Sequence, residues 1–211
     1  MQRFILALAA VSFGIAGSAQ AQRHQPVVHH PSSRWVINGH SSMALGATVT
    51  DAFNEVKTSS GLGAGFEVGY RITPRLLAYA GLDINKQAVA IEDLDGDFGL
   101  THLEAGARYS FPIERSKFMP YVGAWVGRRS LSTTLDDFVT GASSDLSLSG
   151  MAVGASGGVQ MFVSPKLALD GGLSVGMGKM GNIKLDGQSQ PTQNLENTTT
   201  TRIRFGANWY P

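Results

Sequence analysis

Hydrophobic and polar residues alternate with a period of two along nearly the whole chain after residue 34, and helical spacing is scarce there. That is the mark of β-strands whose two faces meet different surroundings. Over residues 61–72, Leu62, Ala64, Phe66, Val68, Tyr70 and Ile72 share one face, while Gly61, Gly63, Gly65, Glu67, Gly69 and Arg71 share the other. The same division runs through residues 75–87, 102–111, 150–163, 167–178 and 202–209. Segments 35–48 and 121–131 complete eight predicted strands, with Trp125 and Val126 competing for the apolar face of the latter.

Bulk and charge lie on opposite faces. If the large apolar residues faced inward, as in a soluble barrel or sandwich, rows of glycine would be displayed to water on strands poor in surface Lys and Glu. The opposite assignment explains more: the apolar face meets lipid, and the small and charged face fills a narrow lumen. Backbone groups at membrane depth must all be paired, so such a sheet must close. The expected fold is all-β, an eight-stranded antiparallel up-and-down transmembrane β-barrel.

The links support this reading. Residues 73–74, 112–117 and 164–165 make short connections, whereas 51–59, 92–98, 132–145 and 181–198 make long polar ones, and the two kinds alternate. Transmembrane barrels have short periplasmic turns and long outer loops. Tyr70, Tyr79, Tyr109, Tyr121 and Tyr210 fall near the short-turn end with Trp35, Phe111, Phe162 and Trp209, so a single interfacial aromatic girdle is expected there.

Composition adds compartment. Only 16% of the 211 residues are charged, against roughly 25% in soluble proteins. The absence of cysteine excludes disulfide frameworks, thiolate metal sites and cysteine nucleophiles. Arg3, the apolar run 4–16 and Ala19-Gln20-Ala21 form a secretory signal peptide pattern over residues 1–21, too short for a membrane-spanning helix. Residues 22–33 read as a flexible periplasmic leader and 34–211 as the barrel. Loss of Arg3 leaves 16 basic against 16 acidic residues, a balance that offers nucleic acid no electrostatic attraction.

Three stretches carry a family likeness: Pro120-Tyr121-Val122-Gly123-Ala124, the run from Gly158 through Phe162, Ser164-Pro165 and Asp170, and Arg204-Phe205-Gly206-Ala207-Asn208-Trp209. Over residues 34–210 the chain resembles the small eight-stranded outer-membrane barrels of Gram-negative bacteria, the OmpA transmembrane-domain and OmpX-like group with its opacity-type surface antigens. The resemblance implies a cell outer-membrane location, surroundings of outer-membrane lipid and lipopolysaccharide, insertion by the outer-membrane assembly machinery, and no cofactor. It leaves any host or surface ligand of the loops open. The peptidoglycan-binding domain of longer family members is not expected after the eighth strand. Pro211 stands after Trp209-Tyr210, where the family ends on an aromatic residue recognised during assembly.

Chemistry is weighed on four features. His40-Ser41-Ser42 invites comparison with barrel lipid A deacylases, in which histidine activates serine, but His40 has the lumen-facing parity. Asp93, Asp95 and Asp97 with Glu104 approximate a calcium loop, yet Phe98 stands where the loop needs glycine. His24, His29 and His30 form a weak metal-binding tract. The last is a lumenal charge cluster of Glu67, Asp83, Glu104, Arg108, Asp170, Arg202 and Arg204, all on the inward parity and bound to pair in so narrow an interior. Strand rise places Glu67, Asp83, Glu104 and Arg204 at similar depth. The expected function is non-enzymatic: an integral outer-membrane protein supporting envelope integrity and displaying four loops. The alternatives are a narrow, low-conductance pore and an outer-membrane lipid-modifying enzyme.

Overall fold

The computed structural model describes residues 33–50, 55–57, 60–88, 97–114, 116–136, 143–185, 188–190 and 196–211. The expected signal peptide, the leader histidines His24, His29 and His30, and the acidic positions Asp93 and Asp95 lie outside these residues. Eight long strands form one antiparallel sheet: β1 (Trp35–Thr50), β2 (Gly61–Arg71), β3 (Leu76–Ala88), β4 (Asp97–Ser110), β5 (Phe118–Asp136), β6 (Ser143–Ser164), β7 (Leu167–Leu185) and β8 (Glu196–Trp209). Each pairs with the next along the chain, and β8 pairs with β1 as well as β7, with Trp209 opposite Ile37 and Arg204 opposite Ser42. The sheet is therefore a closed barrel. Three-residue strands Glu55–Lys57 and Gln188–Gln190 prolong the pairing at the outer ends of β1 and β7.

Burial is inverted relative to a soluble protein. Leu62, Phe205 and Met177 are 73%, 68% and 64% exposed on the outer surface, whereas Asp83, Asn85 and Asn208 are 0% exposed inside. A hydrocarbon environment makes that arrangement stable, because lipid solvates the apolar face and every ladder hydrogen bond is made within the sheet. On β5, Trp125 turns inward and Val126 outward. Room for the indole comes from Gly154 on β6 and Gly176 on β7, since a Cβ built at either would overlap the Trp125 ring. The indole Nε1 donates to Ser174 Oγ at 2.9 Å.

Two expectations are corrected. The outer links are shorter than expected, because the β5–β6 ladder continues from Leu131 opposite Leu148 to Asp136 opposite Ser143, and β7 runs to Leu185. Apolar alternation marks the band that meets lipid, not the strand; beyond that band the strands keep their backbone pairing while their side chains turn polar.

The aromatic girdle is also smaller than expected. Tyr70, Tyr109, Trp35, Phe111 and Trp209 do face outward, with Trp35 edge-on to Tyr70 at 5.2 Å and Tyr109 edge-on to Phe111 at 5.1 Å. Tyr79, Tyr121 and Tyr210 are buried inside the barrel instead. Tyr210 joins Val36, Leu77 and Ala168, with Phe162 packed against them, in a small apolar floor at the short-turn mouth. Burial pushes the Tyr210 phenol up, which keeps it a donor to Gln160 Oε1 at 3.0 Å. Position near the short-turn end sets depth, and parity sets the side.

Phe205 lies four residues from the rim residue Trp209 on the lipid face. Phe205→Arg should cost about 2–4 kcal/mol near the membrane midplane, measured as the shift in the urea unfolding curve of the barrel in lipid vesicles. A Phe205→Arg barrel as stable as the unmodified one would contradict the facing described here.

Candidate functional site

The lumen is filled by side chains from the inward positions of all eight staves. Glu67, Asp83, Glu104, Arg108, Asp170, Arg202 and Arg204 are all inside, none more than 8% exposed. Six of them form one ion-pair network. Arg108 Nη2 donates to both oxygens of Glu67 at 2.7 and 2.6 Å. Arg204 Nη1 bridges Glu67 and Glu104, the latter at 3.3 Å. Arg202 spans the lumen, giving Nη1 to Asp83 Oδ2 at 3.0 Å and Nη2 to Glu104 Oε2. Three arginines thus meet three carboxylates, so the network is neutral without help from elsewhere. Flat aromatic faces support the cations: the Arg108 guanidinium lies 4.3 Å from the Tyr79 ring, and Arg202 lies 5.4 Å from Trp125.

Asp170 joins by hydrogen bonds rather than by an ion pair. It accepts from Tyr121 OH at 3.1 Å and from Asn208 Nδ2 at 3.2 Å. Asn38 Nδ2 donates to Asn208 Oδ1 at 2.9 Å, and His40 stands between Asn38 Oδ1 at 2.7 Å and Asp83 Oδ1 at 2.8 Å. An unbroken chain of contacts therefore runs from Asp170 through Asn208, Asn38, His40, Asp83, Arg202, Glu104, Arg204 and Glu67 to Arg108. It ties β7, β8, β1, β3, β4 and β2 together across the lumen.

A closed barrel of eight staves, apolar outside and charge-paired inside, is the architecture of small outer-membrane proteins, and residues 6–210 match the family model described as outer membrane protein beta-barrel domain. The chain belongs to that family. This outer-membrane barrel superposes on neisserial surface protein A with a TM-score of 0.61 at 21% identity, covering 85% of this chain and 98% of that one. It matches Ail, the attachment invasion locus protein of Yersinia pestis, with a TM-score of 0.51 at 14% identity, covering 84% and 98%. OprG of Pseudomonas aeruginosa gives 0.51 at 11% identity, covering 85% and 96%. At these identities the likeness is one of fold. No curated protein matches in sequence. The protein resides in the outer membrane, which its strands cross.

In this outer-membrane barrel the His40-Ser41-Ser42 motif does not assemble a nucleophile. Both ring nitrogens of His40 are engaged in the lumen, Ser42 Oγ donates to Asn85 Oδ1 at 2.7 Å, and Ser41 lies on the opposite, exposed face. Glu104, read as the last ligand of a calcium loop, is bound instead by Arg202 and Arg204.

Arg129 is the lumenal residue that parity alone did not reveal, because the facing of β5 was ambiguous. It is 1% exposed, and none of its three guanidinium nitrogens has a hydrogen-bond partner. Its guanidinium lies over the face of Trp125, 5.4 Å from the ring centroid. The glycines opposite Trp125, at 154 and 176, are the signal that settles which way β5 turns.

The two kinds of arginine should respond oppositely to the same substitution. Arg204→Met strips Glu67 and Glu104 of a shared cation and should destabilise the folded barrel by about 3–5 kcal/mol, the cost of breaking a buried pair. Arg129→Met removes a buried charge that no carboxylate hydrogen-bonds among the described residues and should be neutral or stabilising. Urea unfolding in vesicles compares them; equal losses would contradict the division between paired and unpaired cations.

Proposed function

We propose that this outer-membrane barrel is a non-enzymatic, electrically closed envelope protein whose four outer hairpins are displayed for interactions at the cell surface. The observation that carries the reading is the continuous side-chain network across the lumen. An ion on the barrel axis would have to displace Arg202 from Asp83 and Glu104 and then meet the apolar floor around Tyr210. Each displaced charge would lie in a low-dielectric interior, where an isolated ion is costly. A carboxylate–arginine network of this kind could serve as a pore constriction if it were hydrated and open; its low exposure favours the plug. The engagement of His40 in the lumen, away from lipid, supports a non-enzymatic role. Two fold neighbours, neisserial surface protein A and the attachment invasion locus protein of Yersinia pestis, are in keeping with surface display.

The same reading takes residues 1–21 as a cleaved signal peptide, residues 22–33 as a periplasmic leader, the short turns as periplasmic, and the outer-membrane assembly machinery as the route of insertion. Lipopolysaccharide and phospholipid are the surroundings of the barrel; the surface ligand is unassigned.

Planar-bilayer recording tests the closed state: no steady current is expected from the unmodified protein, and a stable ion-selective conductance would replace the plug with a narrow pore. A lipid A mass unchanged by expression is expected too, and a loss of acyl chains would establish an enzyme. Cysteines at exposed Gln188 and Ser164 test the orientation. A membrane-impermeant maleimide should label the first and spare the second on intact cells, and the reverse would invert the barrel. Mature protein isolated from the membrane should begin at Gln22.

A further inference from the structure

One basic residue immediately precedes each odd-numbered strand: Arg34 before β1, Arg75 before β3, Lys117 before β5 and Lys166 before β7. All four side chains are exposed. The odd strands all start at the short-turn end, so these cations stand around that rim at intervals of two staves, roughly 10–13 Å apart given the strand spacing and barrel tilt.

Two of them are hydrogen-bonded to outward tyrosines. Arg34 Nη1 donates to Tyr70 OH at 3.2 Å and Arg75 Nη1 donates to Tyr109 OH at 3.5 Å. Those phenols belong to the outward rings that pack against Trp35 and Phe111. Each guanidinium is thereby held beside the aromatic belt, at the level where headgroups lie, with most of its five N–H donors still free for a phosphate.

Charge along the barrel is polarised. Glu114 is the only acid among residues 33–34, 72–75, 111–117, 165–166 and 210–211, which also hold Arg115. The links joining the opposite strand ends, 51–60, 89–96, 137–142 and 186–195, contain Asp51, Glu55, Glu92, Asp93, Asp95, Asp137 and Asp186 against one cation, Lys57. The lumenal network between them is neutral.

We propose that the short-turn rim is a binding site for anionic phospholipid headgroups, with Arg34, Arg75, Lys117 and Lys166 each offering a cation to a lipid phosphate beneath the aromatic belt. A soluble polyanion would be met by charge alone. A lipid is favoured because the rings bracketing Arg34 and Arg75 face the bilayer and can lie along its acyl chains. In the cell, the orientation proposed above makes this the periplasmic leaflet; the binding itself does not depend on orientation.

The tryptophans supply the assay. Trp35 and Trp209 are outward at this rim, whereas Trp125 is inside the lumen and out of reach of lipid. The full chain is reconstituted into vesicles of equal phosphatidylglycerol and phosphatidylcholine, with either one or the other brominated near the headgroup end of its chains. Quenching of tryptophan fluorescence should report phosphatidylglycerol enriched at least about threefold, from an attraction on the order of 1 kcal/mol per basic residue, and high salt should reduce the excess. The excess should vanish in the R34Q/R75Q/K117Q/K166Q variant. Equal quenching by the two brominated lipids in the unmodified chain, or an excess that persists in the variant, would overturn the proposal. Should the fourfold variant fail to fold, the unmodified chain still decides: an excess insensitive to salt would overturn it.

Discussion

The ladder between β8 and β1, from Trp209 opposite Ile37 to Asn197 opposite Thr50, removes the last free edge of the sheet. Lipid offers no hydrogen bonds, so this closure is what allows the strands to cross a membrane at all. It also dictates the two surfaces. Outward positions such as Leu62, Phe205 and Met177 are solvated by hydrocarbon, and inward positions share a lumen that side chains must fill. Charged residues in that lumen are buried from bulk solvent, none of the seven more than 8% exposed. Their arrangement into a network in which three arginines meet three carboxylates follows from that constraint.

Neutrality holds only for the network itself. Asp170, nearer the short-turn mouth, is satisfied by Tyr121 and Asn208, and Arg129, farther along its strand, rests on Trp125 with no hydrogen-bonded anion among the described residues and only the longer-range attraction of Glu104. The lumen thus has a tight ionic middle, a hydrogen-bonded and apolar floor, and, toward the long-loop end of the described residues, a cation held by no hydrogen bond. Arg202, which joins Asp83 of β3 to Glu104 of β4 from its place on β8, ties distant staves together across the lumen.

Much of this is legible in the sequence because a β-barrel writes its two surfaces into a single period. Parity assigns Glu67, Asp83, Glu104, Arg108, Asp170, Arg202 and Arg204 to the interior without any knowledge of pairing. It does not say who pairs with whom. Strand tilt and shear move residues of equal strand index to different depths, so the choice of Asp83 and Glu104 by Arg202 emerges only from the register. Tyr79 illustrates a different limit: its inward parity and its place near the short turns point to different roles, and the burial of its ring beneath Arg108 shows that parity governs. The outer strand ends were hidden for a third reason. Serine and threonine from Ser130 to Thr134 are paired in the ladder with Asp145 to Ser149, and there the apolar signal that marks a strand is weak.

If the lumenal charges form one compensated network rather than separate hydrated ions, removing one partner of a pair must change the cost of removing the other. A double-mutant cycle on Arg202 and Asp83, which face each other from strands that are not neighbours, measures it most directly: the unfolding free energies of Arg202→Met, Asp83→Asn and the double variant in lipid vesicles. A network predicts a coupling of at least about 1 kcal/mol, above the range of exposed ion pairs. Losses that add to within about 0.3 kcal/mol would mean that the two charges are independently solvated, and the closed lumen would be contradicted.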